Sequence, residues 1–319
     1  MKIMVTGGAG FIGSHVVDKY IEKGHDVIVV DNLSSGKIEN VNKNARFYKI
    51  DIRSEEMANL IQKEFPDIIN HHAAQISVPD SVKDPIYDAD INIKGLLNIL
   101  EASKSRIKKF IFISSGGAIY GDATEYPTSE NYTPRPLSPY AISKLTSEHY
   151  LYYYKHQYGM EFTVLRYSNI YGPRQIPHGE AGVVAIFMEN VINNKVSNLY
   201  HYPDEEEGMI RDYCYVGDVA NANLLALEKG NGEAINIGTG KEVRTMMLYL
   251  ELLETYQQIT GKDIRHLKNP LKAPARPGDI PKSCLNIDKA KAILKWEPQT
   301  DLKKGLLATW EWRLSLLPT

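Results

Sequence analysis

The chain has 319 residues, of which 43% are hydrophobic and 24% charged, enough to bury a sizeable core in one large or two modest domains. A net charge of −2 excludes the basic footprint of a nucleic-acid or membrane-surface binder, and no apolar run reaches the length of a membrane span. Two cysteines, Cys214 and Cys284, lack metal-ligand spacing and are too few for a disulfide framework, and Met1-Lys2 leads straight into a strand. A cytoplasmic enzyme without a signal peptide is expected.

The first element is a β-α-β unit. Ile3, Met4 and Val5 form a short apolar strand that breaks at Thr6 into the turn Gly7-Gly8-Ala9-Gly10-Phe11-Ile12-Gly13. Helical periodicity then runs through Val16, Val17, Tyr20 and Ile21 to Gly24, and Asp26 to Val30 reads as a second strand. The glycines fall as G-x-x-G-x-x-G, which suits a tight turn, a close backbone approach to a pyrophosphate and a helix packed on the strand. The helix N-terminus adds unpaired N–H groups and a positive dipole end. Asp31 closes the unit. A carboxylate there accepts both ribose hydroxyls of an adenosine and repels a 2′-phosphate, so the pattern favours NAD over NADP.

The polar loop Asn32-Leu33-Ser34-Ser35-Gly36 follows where that ribose would lie. Ala45 to Ile50 reads as a strand ending at Asp51-Ile52, Met57 to Phe65 as a helix and Asp67 to Asn70 as a strand, an alternation that argues for a parallel, doubly wound sheet. His71-His72-Ala73-Ala74-Gln75 comes next, at the carboxyl edge where such folds bind ligands. The two histidines do not argue for a metal, because neighbours in an extended segment point opposite ways and no third ligand is spaced nearby. Ile86 to Ser103 reads as one long amphipathic helix, with Asn92 either at the surface or on the cofactor. Lys108 to Ile113 is apolar on both faces, as a central parallel strand should be, and ends in Ser114-Ser115-Gly116-Gly117.

Pro139-Tyr140-Ala141-Ile142-Ser143-Lys144 opens a helix that runs to Tyr158. Tyr140 and Lys144 share a face, and of the 20 tyrosines only Tyr140 has a lysine four residues on. A nearby ammonium is expected to lower the tyrosine pKa toward a useful base.

Gly7, Gly10 and Gly13, the strand-edge Ser115 and Tyr140-x-x-x-Lys144 together resemble the extended short-chain dehydrogenase/reductases. Within them, Asp31 to Gly36, Arg166-Tyr167-Ser168-Asn169, Tyr171-Gly172-Pro173-Arg174, Arg211-Asp212-Tyr213 and Ala275-Arg276-Pro277-Gly278-Asp279 look like UDP-glucose 4-epimerases. The resemblance implies that Tyr140 is the base, Ser115 its partner on the sugar hydroxyl, and Lys144 the residue that binds nicotinamide ribose and tunes Tyr140. It implies NAD contacts at Gly7, Gly10, Phe11, Ile12, Gly13, Asp31, Asn32, Ser35, Gly36, Asp51, Ile52, Ala73, Ala74, Gln75, Asn92, Tyr140, Lys144 and Tyr167. Substrate contacts are implied at Ser115, Tyr140, Asn169, Arg211, Arg276, Asp279 and Ser283. His72 departs from the larger apolar residue often found at its position in the family. A serine at 283, where a tyrosine restricts some members to plain hexoses, implies room for an N-acetyl group at C2.

The implied reaction is C4 epimerisation of UDP-hexoses through a 4-keto sugar, with NAD regenerated in each cycle. Rival readings are a UDP-uronate 4-epimerase, a 4,6-dehydratase, a decarboxylase and a non-catalytic NAD-binding regulator. The dehydratase and decarboxylase need acidic groups after the active-site serine, where this chain has Gly116-Gly117-Ala118. The expected architecture is a Rossmann-type NAD domain over 1–170 plus 214–240 and a smaller α+β nucleotide-sugar domain over 171–213 plus 241–319. The acidic loop Tyr202 to Gly208 reads as solvated. By resemblance, helices Ile86 to Ser103 and Tyr140 to Tyr158 pair with their copies in a homodimer.

Overall fold

The computed structural model describes residues 1–177, 182–276 and 278–317. Pro277 of the expected diphosphate motif and the last two residues of the expected second domain lie outside them.

Seven strands form one sheet: β1 Lys2–Thr6, β2 Asp26–Val30, β3 Arg46–Tyr48, β4 Ile68–His71, β5 Lys109–Ser115, β6 Glu161–Tyr167 and β7 Glu233–Ile237. Their order is β7-β6-β5-β4-β1-β2-β3 and every pairing is parallel. Parallel strands joined by helices are covered on both faces, so Ile3, Met4 and Val5 are all fully buried. One core packs the helices Phe11–Glu22 and Val216–Ala226 against one face, and a second packs Glu55–Glu64 and Gly95–Ser103 against the other. The strand order reverses between β1 and β4, where Thr6 lies opposite His71. A crevice opens at the carboxyl ends of strands at such a reversal, and the glycine turn occupies it.

The stretch expected as one helix from Ile86 is broken into the helix Pro85–Ala89, a π-helical turn Asp90–Lys94 and the helix Gly95–Ser103. Asp84 caps the first piece through the Tyr87 N–H at 2.9 Å. Gly95 presses so closely on Ile52 that a Cβ there would lie 2.7 Å from its Cδ1. The π turn buries Asn92, a use of such turns common at functional sites.

The C-terminal part builds a third core from helices Val183–Ile192, Thr245–Thr260 and Leu302–Ser315, with Trp310 and Tyr249 fully buried. Short strand pairs, Asn198–His201 with Leu271–Pro274 and Ile210–Arg211 with Val243–Arg244, make it α+β. One part of the C-terminal segment lies against the large sheet. Ile287, Ala290, Leu294 and Trp296 pack into the core of the large sheet, and the Trp296 indole donates to the Asp218 carbonyl at 2.9 Å. Burying an indole and three aliphatic side chains there outweighs their place in the sequence. The acidic loop is also held down: Glu205 pairs with Arg244 and Glu206 with Lys272.

Candidate active site

The glycine turn has a geometry that only glycine allows. Gly7 sits at φ +70°, and a Cβ on it would lie 2.6 Å from the Ala73 nitrogen; a Cβ on Gly13 would lie 2.3 Å from the Gly7 carbonyl oxygen. No side chain caps the helix that starts at Phe11 and no acid stands in its first turn, so its leading N–H groups are free to meet an anion. Asp31 is buried at the end of β2, where its carboxylate accepts from the N–H groups of Ala9 at 3.0 Å and Leu33 at 2.8 Å. Gly36 faces it so closely that a Cβ would come within 2.9 Å of both carboxylate oxygens. A carboxylate offers about four lone pairs, so two remain for a ribose diol. Burial raises the Asp31 pKa and its two backbone donors oppose that shift. The residues fit an adenine dinucleotide without a 2′-phosphate.

Other expected cofactor contacts are sorted by the structure. Asn32 and Asp51 meet on the rim through a 3.2 Å hydrogen bond, and Arg53 holds the Asp51 carboxyl down at about 2. Ser35 is exposed nearby, and Ile52 is buried under Gly95. Ala73 donates to the Thr6 hydroxyl at 3.3 Å, which fixes the chain beside the glycine turn and leads into Ala74 and Gln75. In two of the expected contacts the side-chain polar groups are engaged within the protein. The Asn92 amide is spent on holding Gln75, accepting from its N–H at 2.9 Å and donating to its carbonyl and to Asp88, each at 3.0 Å. Tyr167 is core: its hydroxyl accepts from Asn223 at 2.6 Å among Tyr20 and Asn70, and the buried hydroxyl without a partner belongs to its neighbour Ser168. Side chains alternate along a strand, so a step of one residue decides which face is met.

The tyrosine, lysine and serine come together at the end of β5. Pro139–Tyr158 is a helix capped by Ser138, whose hydroxyl accepts from the Ala141 N–H, and it brings Tyr140 up to Ser115. Lys144 donates to the Ile113 carbonyl at 2.9 Å, with its ammonium 5.8 Å from the centre of the Tyr140 ring. The expected tuning runs the other way in the protein alone. Burial pushes the Tyr140 phenol up to about 12, the nearby Ser115 hydroxyl opposes this, and the Asp88 charge adds to it. Burial also draws Lys144 down to about 8. Desolvation is the largest influence on both groups.

His71 is buried against Phe110 and Phe112 and bonded to the Thr6 hydroxyl at 2.7 Å, and burial holds it and His72 near 3. Among the described residues, no group of three or more His, Cys, Asp or Glu side chains is placed to hold a metal.

A cleft of about 320 Å³ opens beside this centre, lined by Asn169, Arg211, Arg276 and Asp279 together with Tyr200 and Phe187. Arg211 donates to the carbonyls of Ile210, Ile280 and Pro281, which leaves two of its five N–H groups. Arg276 is paired with Asp279 at 2.9 Å and lies 4.7 Å from the centre of the Tyr200 ring. Where the cleft meets Ser115, Gly117 leaves a gap. A Cβ there would stand 3.8 Å from Asn169 Oδ1, 3.9 Å from Ser283 Oγ and 4.0 Å from Ser115 Oγ. Three expected substrate residues, from β5, the strand Asn169–Tyr171 and the C-terminal segment, thus ring one point.

Residues 3–238 match the model of the NAD dependent epimerase/dehydratase family. The chain belongs to this family. A putative UDP-glucose 4-epimerase of Methanocaldococcus jannaschii is a relative, 43% identical over 97% of both chains. The solved UDP-glucose 4-epimerase of Thermotoga maritima with UDP-glucose superposes with a TM-score of 0.92, at 50% identity over 99% of this chain and 100% of that one. The UDP-N-acetylglucosamine 4-epimerase of Methanobrevibacter ruminantium, in complex with UDP-N-acetylmuramic acid, superposes with a TM-score of 0.90 at 33% identity over 99% of each chain.

On this epimerase/dehydratase frame, some site residues carried no signal in the sequence. Tyr200 and Phe187 reach the cleft from elements remote in the chain, and nothing in their local pattern marks them. Asp88 is fully buried, and nothing in its local pattern marks it.

Proposed function

We propose that the protein is an NAD-dependent 4-epimerase of UDP-hexoses, acting on UDP-glucose and UDP-galactose and on their N-acetylated counterparts. The observation that carries the reading is the ring of Ser115, Asn169 and Ser283 around Gly117, set between the glycine turn and the two-arginine cleft. Arg211 and Arg276 bind the diphosphate, since guanidinium matches phosphate oxygens in a bidentate way. Ser115 holds the 4-hydroxyl and Tyr140 takes its proton, then returns it to the 4-keto oxygen when the other face of the sugar is presented. Bound NAD would supply a positive charge that favours the phenolate and a reversible acceptor for the C4 hydride. Lys144 binds the nicotinamide ribose, and the enclosing cleft orients the sugar and excludes water.

Gly116-Gly117-Ala118 places no acid beside Ser115 to move a C5 or C6 proton, which sets the dehydratase and decarboxylase aside. Residues 1–170 plus 214–240 form the cofactor unit, joined by 287–296, and the remainder of 171–319 forms the sugar unit.

The protein acts in the cytoplasm as a homodimer. Among the described residues no helix is long and apolar enough to cross a membrane, and both cysteines are buried and unpaired. Ile86, Ile142, Tyr152 and Tyr153 are exposed on the two helical segments expected to pair. Light scattering at micromolar concentration should give twice the chain mass, and a monomer would overturn the dimer. Conversion of UDP-galactose to UDP-glucose by the purified protein, with NAD recovered from the denatured protein, tests the activity. Absence of both would overturn it.

A further inference from the structure

We propose that Asp88 is a positioning residue for the tyrosine-lysine pair: its buried carboxylate is the counter-charge that keeps Lys144 an ammonium. The inference deepens the epimerase reading and takes its catalytic meaning from it.

Asp88 is fully buried, and its partners come from three parts of the chain. Its Oδ1 accepts from Gln75 Nε2 in the loop after β4 and from Asn92 Nδ2 in the π turn, each at 3.0 Å. Its Oδ2 accepts from the Ser143 hydroxyl, on the catalytic helix, at 2.7 Å. All three donors are neutral. A carboxylate enclosed by neutral donors alone is costly to bury, and a nearby cation offsets that cost.

Lys144 follows Ser143 and is itself buried, and the attraction acts on both groups: the ammonium favours the ionised Asp88, and Asp88 favours the ammonium. The second acid facing Lys144 is Glu148. Its carboxylate is already engaged by Arg166 through contacts of 2.6 to 3.2 Å, so its charge is compensated. The other titratable groups around the lysine are Tyr140 on its own helix and His71 and His72 at the end of β4, and burial holds both imidazoles neutral. Asp88 is therefore the acid without a guanidinium of its own in this cluster.

Burial draws Lys144 down to about 8 even with Asp88 and Glu148 opposing it. Without Asp88 the ammonium would be lost nearer pH 7. The same negative charge opposes ionisation of Tyr140, so one carboxylate shifts both partners upward and sets the pH window of the pair.

The test is the titration of Lys144, followed by NMR of lysine labelled at 13Cε and assigned by comparison with Lys144→Met. In Asp88→Asn the Lys144 midpoint should fall by about one pH unit relative to the parent, the usual effect of one opposite charge at close range. In Ser143→Ala, which removes a hydrogen bond and keeps the charge, it should stay close to the parent value. An unmoved midpoint in Asp88→Asn, or equal movement in both variants, would overturn the inference. Should Asp88→Asn fail to fold, Lys144→Met gives the reciprocal measurement: the Asp88 carboxyl should titrate about one pH unit higher than in the parent, and an unchanged value refutes the coupling. None of these readouts needs turnover, so failure here is distinct from failure of the epimerase reading.

Discussion

Lys144 Nζ lies 2.9 Å from the carbonyl oxygen of Ile113 and 5.8 Å from the centre of the Tyr140 ring, so the ammonium's hydrogen bond goes to the β5 backbone. The lysine is fixed by the strand that also carries Ser115, and Tyr140, Lys144 and Ser115 share one support. Removing the tyrosine hydroxyl should leave that support intact. Tyr140→Phe is expected to keep its circular dichroism and lose turnover by about 10²–10⁴-fold, the usual contribution of a placed acid-base group. Turnover within a few-fold of the parent would remove Tyr140 from the mechanism.

The Lys144 pKa, lowered from 10.5 to about 8, makes a stability prediction with a definite sign. Between those two values the unfolded chain holds a proton that the folded chain has released, so stability rises with pH. Below about 8 both states are protonated and the full cost of the buried ammonium remains. Melting temperatures of the parent and Lys144→Met, measured from pH 7 to 10, should therefore move in the parent's favour as pH rises. A constant gap would contradict the shift.

Gly7→Ala places a Cβ against the Ala73 backbone in a residue held at φ +70°. The expected cost is about 1–3 kcal/mol, with NAD no longer retained through purification. Chromatography of the denatured supernatant checks the second effect, and full retention would show that the turn does not need glycine at position 7.

Glu148 and Arg166 form a buried pair, with Ser114 and Tyr120 bonded to its two ends. Glu148→Ala leaves the guanidinium uncompensated and should destabilise the protein by about 3–5 kcal/mol in urea titrations. A loss below about 1 kcal/mol would mean that water reaches the pair.

Ser283→Tyr should fill the space beside Gly117. Turnover of UDP-N-acetylglucosamine is expected to fall by roughly 100-fold while UDP-glucose is spared. A parent that ignores the N-acetylated sugar, or a mutant that still converts it, would remove Ser283 from the pocket.

The order of apolar runs and glycines was enough for the parallel sheet, the dinucleotide turn and the Tyr140-Lys144 helix, because strand and helix periods and positive-φ turns are local properties of the chain. Asp31 was legible for the same reason, as a residue at a strand end. Local pattern did not decide what depends on neighbours remote in sequence. Tyr167 and Asn92 turned to the core because burial and hydrogen bonding at β6 and the π turn chose their faces. Asp88 carried no local mark and is enclosed by Gln75, Asn92 and Ser143 from three parts of the chain. The segment 287–296 left the sugar side for the sheet, since its apolar residues bury more against the helix Val216–Ala226. The direction of the Tyr140 and Lys144 shifts was likewise tertiary: spacing put both side chains on one helix face, and the depth of burial made desolvation the largest influence on each.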